Sequence, residues 1–231
     1  MMNKLNSNIV ELELTPNKLL SFDALERVVH QLVNGGLCIL PTETGYLLAA
    51  NAFDEEAIKK VFLAKGRSFN NPIHVIVSGM KMADELVFLP PEARKLCYKF
   101  FPGPLTVICP KKDFISDFLV AHTGNLGIRS ADSSVTYQIV EAFGKPITAT
   151  SLNLSGFSNE NNIIDTINLM NWGNQTVLFV RNDKDIKYSK PSTLVTFATK
   201  PWSILREGPI SSDEIKNAMS QLYYSEFEDW T

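Results

Sequence analysis

Cysteine, tryptophan and histidine each occur only three times in 231 residues, and the scarcity of two of them removes classes of function. Cys38, Cys97 and Cys109 lie far apart inside apolar runs (LCIL, KLCY, VICP). That spacing excludes a disulfide framework or a zinc cluster and fits buried, reduced thiols in a cytoplasmic protein. His30, His74 and His122 fall in a helical, a strand-like and a loop context with no metal-ligand spacing, so each reads as a structural or surface histidine. An excess of positive charge is also missing. Lys and Arg number 22 against 25 Asp and Glu, a formal charge of -3, so affinity for nucleic acid or nucleotide must come from a local basic patch. The opening MMNKLNSNIVELELTP has no signal-peptide core, and no apolar run approaches the ~20 residues that span a bilayer. A soluble protein without a membrane partner is expected. GxxxxGK[ST], GxGxxG, and the metalloprotease, esterase-elbow and kinase signatures are all absent. Phosphates would therefore have to be held by side chains and loop amides.

What is present fits one large globular domain over residues 1–231, with 45% hydrophobic and 20% charged residues. Ile9 to Leu14 alternates glutamate with apolar residues as a half-buried strand does. Leu25, Val28, Val29, Leu32 and Val33 recur at helical spacing between a Ser21 cap and Gly35. Leu37 to Leu40 reads as a buried strand, Pro41-Thr42-Glu43-Thr44 as a polar turn, and Gly45 to Ala50 as the next strand. Asp54 can cap a helix that stops at Lys65-Gly66-Arg67. Strands at Ile73–Val77, Leu105–Cys109, Leu126–Arg129 and Ile147–Thr150 alternate with helices at 80–86, 91–100 and around Val135–Phe143, the last capped by Asp132 or Ser133. Further on come a helix near Ile163–Trp172, strands at Val177–Val180, Thr193–Phe197 and Ser203–Arg206, and a final helix whose Ser211 and Glu214 have capping-box spacing. The alternation predicts an α/β fold with a mixed sheet.

Two constellations carry chemistry. In KPITATSLNLSG a β-branched strand gives way to Ser151, Asn153 and Ser155, placing hydroxyls and an amide past a strand's carboxyl end, where ligands of open α/β sheets sit. The same residues would equally serve to organise a turn or cap a helix. Lys65 and Arg67, at a helix end and separated by glycine, can converge on a polyphosphate, or can be cations favoured there by the helix dipole. Arg129 ends an apolar strand and needs a counter-charge, either Asp132 or an anionic ligand. Few general bases accompany these groups. That composition points to catalysis by holding charged substrates together and stabilising charge on phosphorus.

The segments PTETGYLLAANAFDEEAIKKVFLAKGR, NPIHVIV, FFPGPLTVICP, LGIRSADS, GKPITATSLNLSG and ILREGPIS, in this order, resemble the YrdC family of threonylcarbamoyl-AMP synthases over a core of about residues 15–215. The resemblance implies a YrdC-like fold, a twisted mixed sheet with flanking helices around a concave cavity. It also implies a nucleotidyltransferase that condenses L-threonine, bicarbonate or CO2 and ATP, with Mg2+, to threonylcarbamoyl-AMP and pyrophosphate. Downstream tRNA threonylcarbamoyl-transferase proteins would use the product, with weak RNA or tRNA binding by this chain as a further implication. By the same resemblance Lys65, Arg67, Ser151 and Asn153 are the catalytic set and, with Thr106 and Arg206, the nucleotide contacts. Thr42, Arg129 and Ser192 are the threonine side, with Arg129 as partner of the threonine carboxylate or as a structural partner. The chain looks like the short form, without the extra carboxyl-terminal domain of longer members.

Five departures from the family pattern stand out. Gly45 precedes Tyr46 and Leu47 follows it, where PTDTVYGL is usual. Ile76 replaces a histidine, with His74 two residues earlier on the same face; Ser133-Ser134 replaces His-Pro; and Leu152 lies between Ser151 and Asn153. If Leu47 or Leu152 lines the amino-acid pocket, the threonine-to-serine ratio is expected to be lowered and Leu152→Ala to raise it; the alternative is that both leucines point into the core. The competing readings are a diverged paralogue acting on another amino acid or carbamoyl substrate, and a noncatalytic RNA-binding module.

Overall fold

The computed structural model describes residues 5–152 and 163–225. In chain order the elements are β1 (Ile9–Leu12), α1 (Phe22–Val33), β2 (Leu37–Thr42), β3 (Gly45–Ala49), α2 (Glu55–Lys65), β4 (His74–Ile76), α3 (Met80–Leu86) and α4 (Pro91–Phe100). They continue with β5 (Leu105–Pro110), β6 (Asn125–Arg129), α5 (Ser134–Phe143), β7 (Ile147–Ser151), α6 (Ile163–Leu169), β8 (Val177–Val180), β9 (Thr193–Thr196), β10 (Ser203–Arg206) and α7 (Ser212–Ser225). Helix ends fall where side chains satisfy unpaired backbone groups. Ser21, Asp54 and Ser133 accept from the first-turn N–H groups of α1, α2 and α5, while Gly66 and Gly144 leave α2 and α5 in the left-handed conformation.

The strands form one sheet in the order β1-β8-β2-β3-β7-β4-β6-β5-β9-β10. Pairs β1/β8, β2/β8, β4/β6 and β5/β9 are parallel and the others antiparallel, so the expected mixed α/β sheet is present. Alternate residues of each strand serve opposite faces. Ile39, Leu48, Val75, Val107 and Phe179 pack one face against Val61 and Phe62 of α2, Ala83 of α3, Leu96 of α4, Ile167 of α6 and Ile215 of α7. On the other face Leu40, Leu47, Ile76, Ile147 and Leu178 meet Val28 and Leu32 of α1 and Val135, Ile139 and Val140 of α5. Those two helices shield only the β1–β7 side of their face and Ile76 of β4. Arg129 of β6 and Thr106 of β5 line a concavity on the rest of the sheet. Cys38, Cys97 and Cys109 are buried and unpaired; burial pushes the Cys97 and Cys109 thiols up to about 12. No helix among the described residues is long and apolar enough to cross a membrane.

Two boundaries differ from expectation for identifiable reasons. Pro41 and Thr42 belong to β2 and not to the turn, because they pair with Tyr46 and Gly45 and every residue of β2 is buried. Only Glu43-Thr44 forms the turn. Gly45 takes φ +116° with open space where a Cβ would stand, a backbone that a side chain would strain. That requirement accounts for the glycine at 45. β1 stops at Leu12 instead of Leu14, since its partner β8 offers only Val177–Val180.

Candidate active-site cavity

A cavity of about 440 Å³ lies over the sheet, lined from Thr42 of β2 to Arg206 of β10, within the size range of small-molecule sites. Its floor is set by strand register. Leu47 lies opposite Ser151, His74 opposite Ala149, and Ile76 opposite Arg129. Ser151, His74 and Arg129 thus run diagonally across three neighbouring strands, and all three line the cavity.

Lys65 is 1% exposed, so the solvated helix end is ruled out. Its Nζ donates to the Ser151 carbonyl, which sets the ammonium beneath the cavity wall, and it is not among the side chains that line the cavity. Burial, then the Arg67 charge, pull its pKa down to about 7. Arg67 does line the cavity. One guanidinium nitrogen donates to the Pro72 carbonyl at 3.0 Å, Nε is buried without a partner among the described residues, and burial lowers its pKa. Asn153 lies outside the described residues.

Arg129 is not paired with Asp132. Its Nη2 lies 2.8 Å from Glu43 Oε1, and Glu43 is completely buried. The approach is not aligned as a hydrogen bond, and Glu43 Oε1 and Arg129 Nε and Nη2 have no other partner among the described residues; the pair is an ionic contact. Asp132 instead bonds Lys187 at 2.5 Å, while its backbone N–H donates to Glu43 Oε2. Glu43 was not singled out from the sequence. Its partners lie 86 and 89 residues away, a separation that no local pattern encodes.

The hydroxyls are largely committed. Thr42 Oγ1 donates to the Gly45 carbonyl at 2.6 Å and accepts from Thr44 N–H, so it holds the hairpin turn while facing the cavity. Thr106 Oγ1 and Ser192 Oγ are 2.8 Å apart, and Arg206 donates twice to the Ser192 carbonyl, at 3.0 and 2.9 Å. Burial and then the Arg129 charge lower the Arg206 pKa. Thr193 Oγ1 accepts from the N–H groups of Gly208 and Ile210 and donates to the Ile210 carbonyl, which folds the REGP turn back beside Ser192. A Cβ at Gly208 would stand 2.2 Å from the Pro191 carbonyl oxygen, so only glycine fits.

The segment before Ser192 is tied across the cavity edge. Tyr46 Oη donates to Asp183 at 2.7 Å and accepts from Asn182 N–H, Ser133 Oγ donates to Asp185, and the Glu43 carbonyl accepts from Lys187 and Tyr188 N–H. His74, read from the sequence as a structural or surface histidine, faces the cavity. Leu47 both lines it and packs with the α1–α5 cluster, whereas Leu152 is 6% exposed within the opposite core and does not line it. The pocket role considered for Leu152 is therefore replaced by a packing role. Chemically, three arginines and a set of small hydroxyl side chains surround a space large enough for two small anions. Among the described residues no group of three or more His, Cys, Asp or Glu could hold a metal ion.

The Sua5/YciO/YrdC family, described as telomere recombination, matches residues 30–208. The chain belongs to this family. A relative in Methanocaldococcus jannaschii is 34% identical over 188 residues, covering 80% of this chain and 86% of that protein. The threonylcarbamoyl-AMP synthases of Pyrococcus abyssi and Bacillus subtilis are 36% and 40% identical over 123 and 118 residues. Those matches cover 53% and 50% of this chain but only 36% and 34% of the two enzymes. Among solved structures, P. abyssi Sua5 complexed with L-threonine superposes with a TM-score of 0.81 at 25% identity, over 91% of this chain and 60% of that one. Escherichia coli YciO shares the fold, with a TM-score of 0.72 at 19% identity over 90% of this chain and 98% of its own.

Proposed function

We propose that this family member is a threonylcarbamoyl-AMP synthase, a nucleotidyltransferase acting in tRNA modification. The observation that carries the reading is the convergence of Arg67, Arg129 and Arg206 with the hydroxyls of Thr106 and Ser192 on one cavity. Two anions held together repel, and fixed cations in a partly desolvated space offset that repulsion without reorganising. The neutral amine of L-threonine adds to the carbon of CO2 and gives up a proton to leave a carbamate; from bicarbonate the same carbamate forms with loss of water. A carbamate oxygen then attacks the α-phosphorus of ATP, and pyrophosphate leaves. Mg2+ enters with the nucleotide phosphates, since the polar side chains of the cavity are cations, hydroxyls and an imidazole, which is no donor set for a resident ion.

In this reading Arg67 and Arg206 bind phosphate oxygens, Thr106 and Ser151 position the nucleotide, and Lys65 adds charge from beneath Ser151. Arg129 takes the threonine carboxylate, with Thr42 and Ser192 beside it, and Asn153 completes the set. The L-threonine bound by P. abyssi Sua5 supports the choice of amino acid. A downstream transferase acting on tRNA would consume the product. The test is pyrophosphate release with each substrate omitted in turn. The expected result is release only when threonine, bicarbonate and MgATP are all present. Release indifferent to threonine or bicarbonate would overturn the assignment, and release supported by another amino acid in place of threonine would make the chain a paralogue of different specificity.

A further inference from the structure

We propose that His74 determines specificity by hydrogen-bonding the side-chain hydroxyl of the amino-acid substrate, an assignment that rests on the synthase reading above. His74 stands at the centre of the cavity floor, paired with Ala149 on one side and packed against Gly127 on the other. A Cβ at Gly127 would come within 2.4 Å of its Cδ2. The two smallest side chains on the floor therefore flank the imidazole, and Gly127 gives the ring its space.

Apart from Thr44, Thr150 and Ser151, which also line the cavity, the other polar side chains sort by charge and by commitment. Arg67, Arg129 and Arg206 suit a carboxylate and phosphates. Thr42 already donates to Gly45, Thr106 and Ser192 bond each other, and the Tyr46 hydroxyl is occupied by Asp183 and Asn182. His74 makes no hydrogen bond to a described residue. Burial first, then the charges of Arg206, Arg67 and Arg129, pull its pKa down to about 4, so at neutral pH it presents one N–H and one bare nitrogen. Threonine offers an anionic carboxylate, an ammonium and one neutral hydroxyl. A neutral group that can both donate and accept complements the hydroxyl, whereas the arginines complement the carboxylate.

The experiment compares L-threonine with L-2-aminobutyrate, which lacks the hydroxyl, as substrates for pyrophosphate release in the presence of bicarbonate and MgATP. His74→Ala is expected to lower kcat/KM for threonine by roughly 2- to 12-fold, the range for one neutral hydrogen bond. The value for 2-aminobutyrate and the KM for ATP should stay within about twofold of the unaltered enzyme, and His74→Gln should restore part of the preference. Gly127→Ala gives a second route, because the added methyl displaces the ring and is expected to erode the same preference with the histidine still in place. Equal losses on both amino acids, or an effect confined to the KM for ATP, overturn the His74 assignment alone. If the unaltered enzyme shows no threonine-dependent release, the synthase reading falls and the His74 assignment with it.

Discussion

On the proposed synthase reading, Lys65 is expected to make ATP binding sensitive to pH, in a direction set by its burial. The ammonium is 1% exposed and donates to the Ser151 carbonyl, and burial together with Arg67 brings its pKa from 10.5 to about 7. A bound triphosphate adds nearby negative charge, which favours the protonated form. Binding then takes up a proton wherever the unliganded lysine is neutral, so affinity falls as pH rises above about 7. With the ammonium fully charged in the complex, the loss between pH 6 and 8.5 amounts to roughly 30-fold. Calorimetric titrations with saturating Mg2+ across that range measure it, and Lys65→Arg supplies the control because arginine stays charged throughout. Titration of the nucleotide itself is common to both proteins, so the ratio of their affinities isolates the lysine. Parallel pH dependences in the two proteins would refute the reasoning. Stability gives an independent check on the sign. Between about pH 7 and 10.5 the unfolded lysine binds more protons than the folded one, so this group makes the unliganded protein more stable as pH rises through that window, and below it the full cost of the buried charge is present. The thermal midpoint of the wild-type protein should therefore gain on that of Lys65→Arg as pH increases.

Arg67→Ala is expected to weaken ATP binding by about 2 to 4 kcal/mol, read by calorimetry. Lys216→Ala, at an exposed residue whose nearest carboxylate is 3.8 Å away, leaves affinity unchanged, and equal affinities for the two variants would remove Arg67 from the phosphate site. Leu152→Ala truncates a core side chain and should cost roughly 2 to 5 kcal/mol of stability while the ratio of threonine to serine use stays the same. A changed ratio at an unchanged thermal midpoint would return Leu152 to the pocket.

The parts that were legible in the sequence are those whose cause is local. Ser21, Asp54 and Ser133 announce helix starts, and Gly66 and Gly144 mark the ends, because cap chemistry acts within four residues. The extent of β2 was not legible. Pro41 and Thr42 look like turn residues by type, and only the pairing with Tyr46 and Gly45 makes them strand. Arg129 could be seen to need a counter-charge, with Asp132 or an anionic ligand as the candidates, but Glu43 supplies it from across the sheet. His74 was missed for a related reason. Period-two alternation assigns it to the face of Ile76, and nothing local tells that α5 covers Ile76 while the floor at His74 remains open.

The ties between the β2–β3 turn and the segment before Ser192 fix more than a loop. The Glu43 carbonyl, the Tyr46 hydroxyl and the Ser133 hydroxyl each hold that segment, which then leads into β9 and on to Arg206. The segment thus joins β3 to β9, strands several positions apart in the sheet order. The gap between them acts as a gauge of set width: widening it requires several hydrogen bonds to break together. Arg129, held to the same turn by its ionic contact with Glu43, keeps its height above the floor whenever that spacing holds.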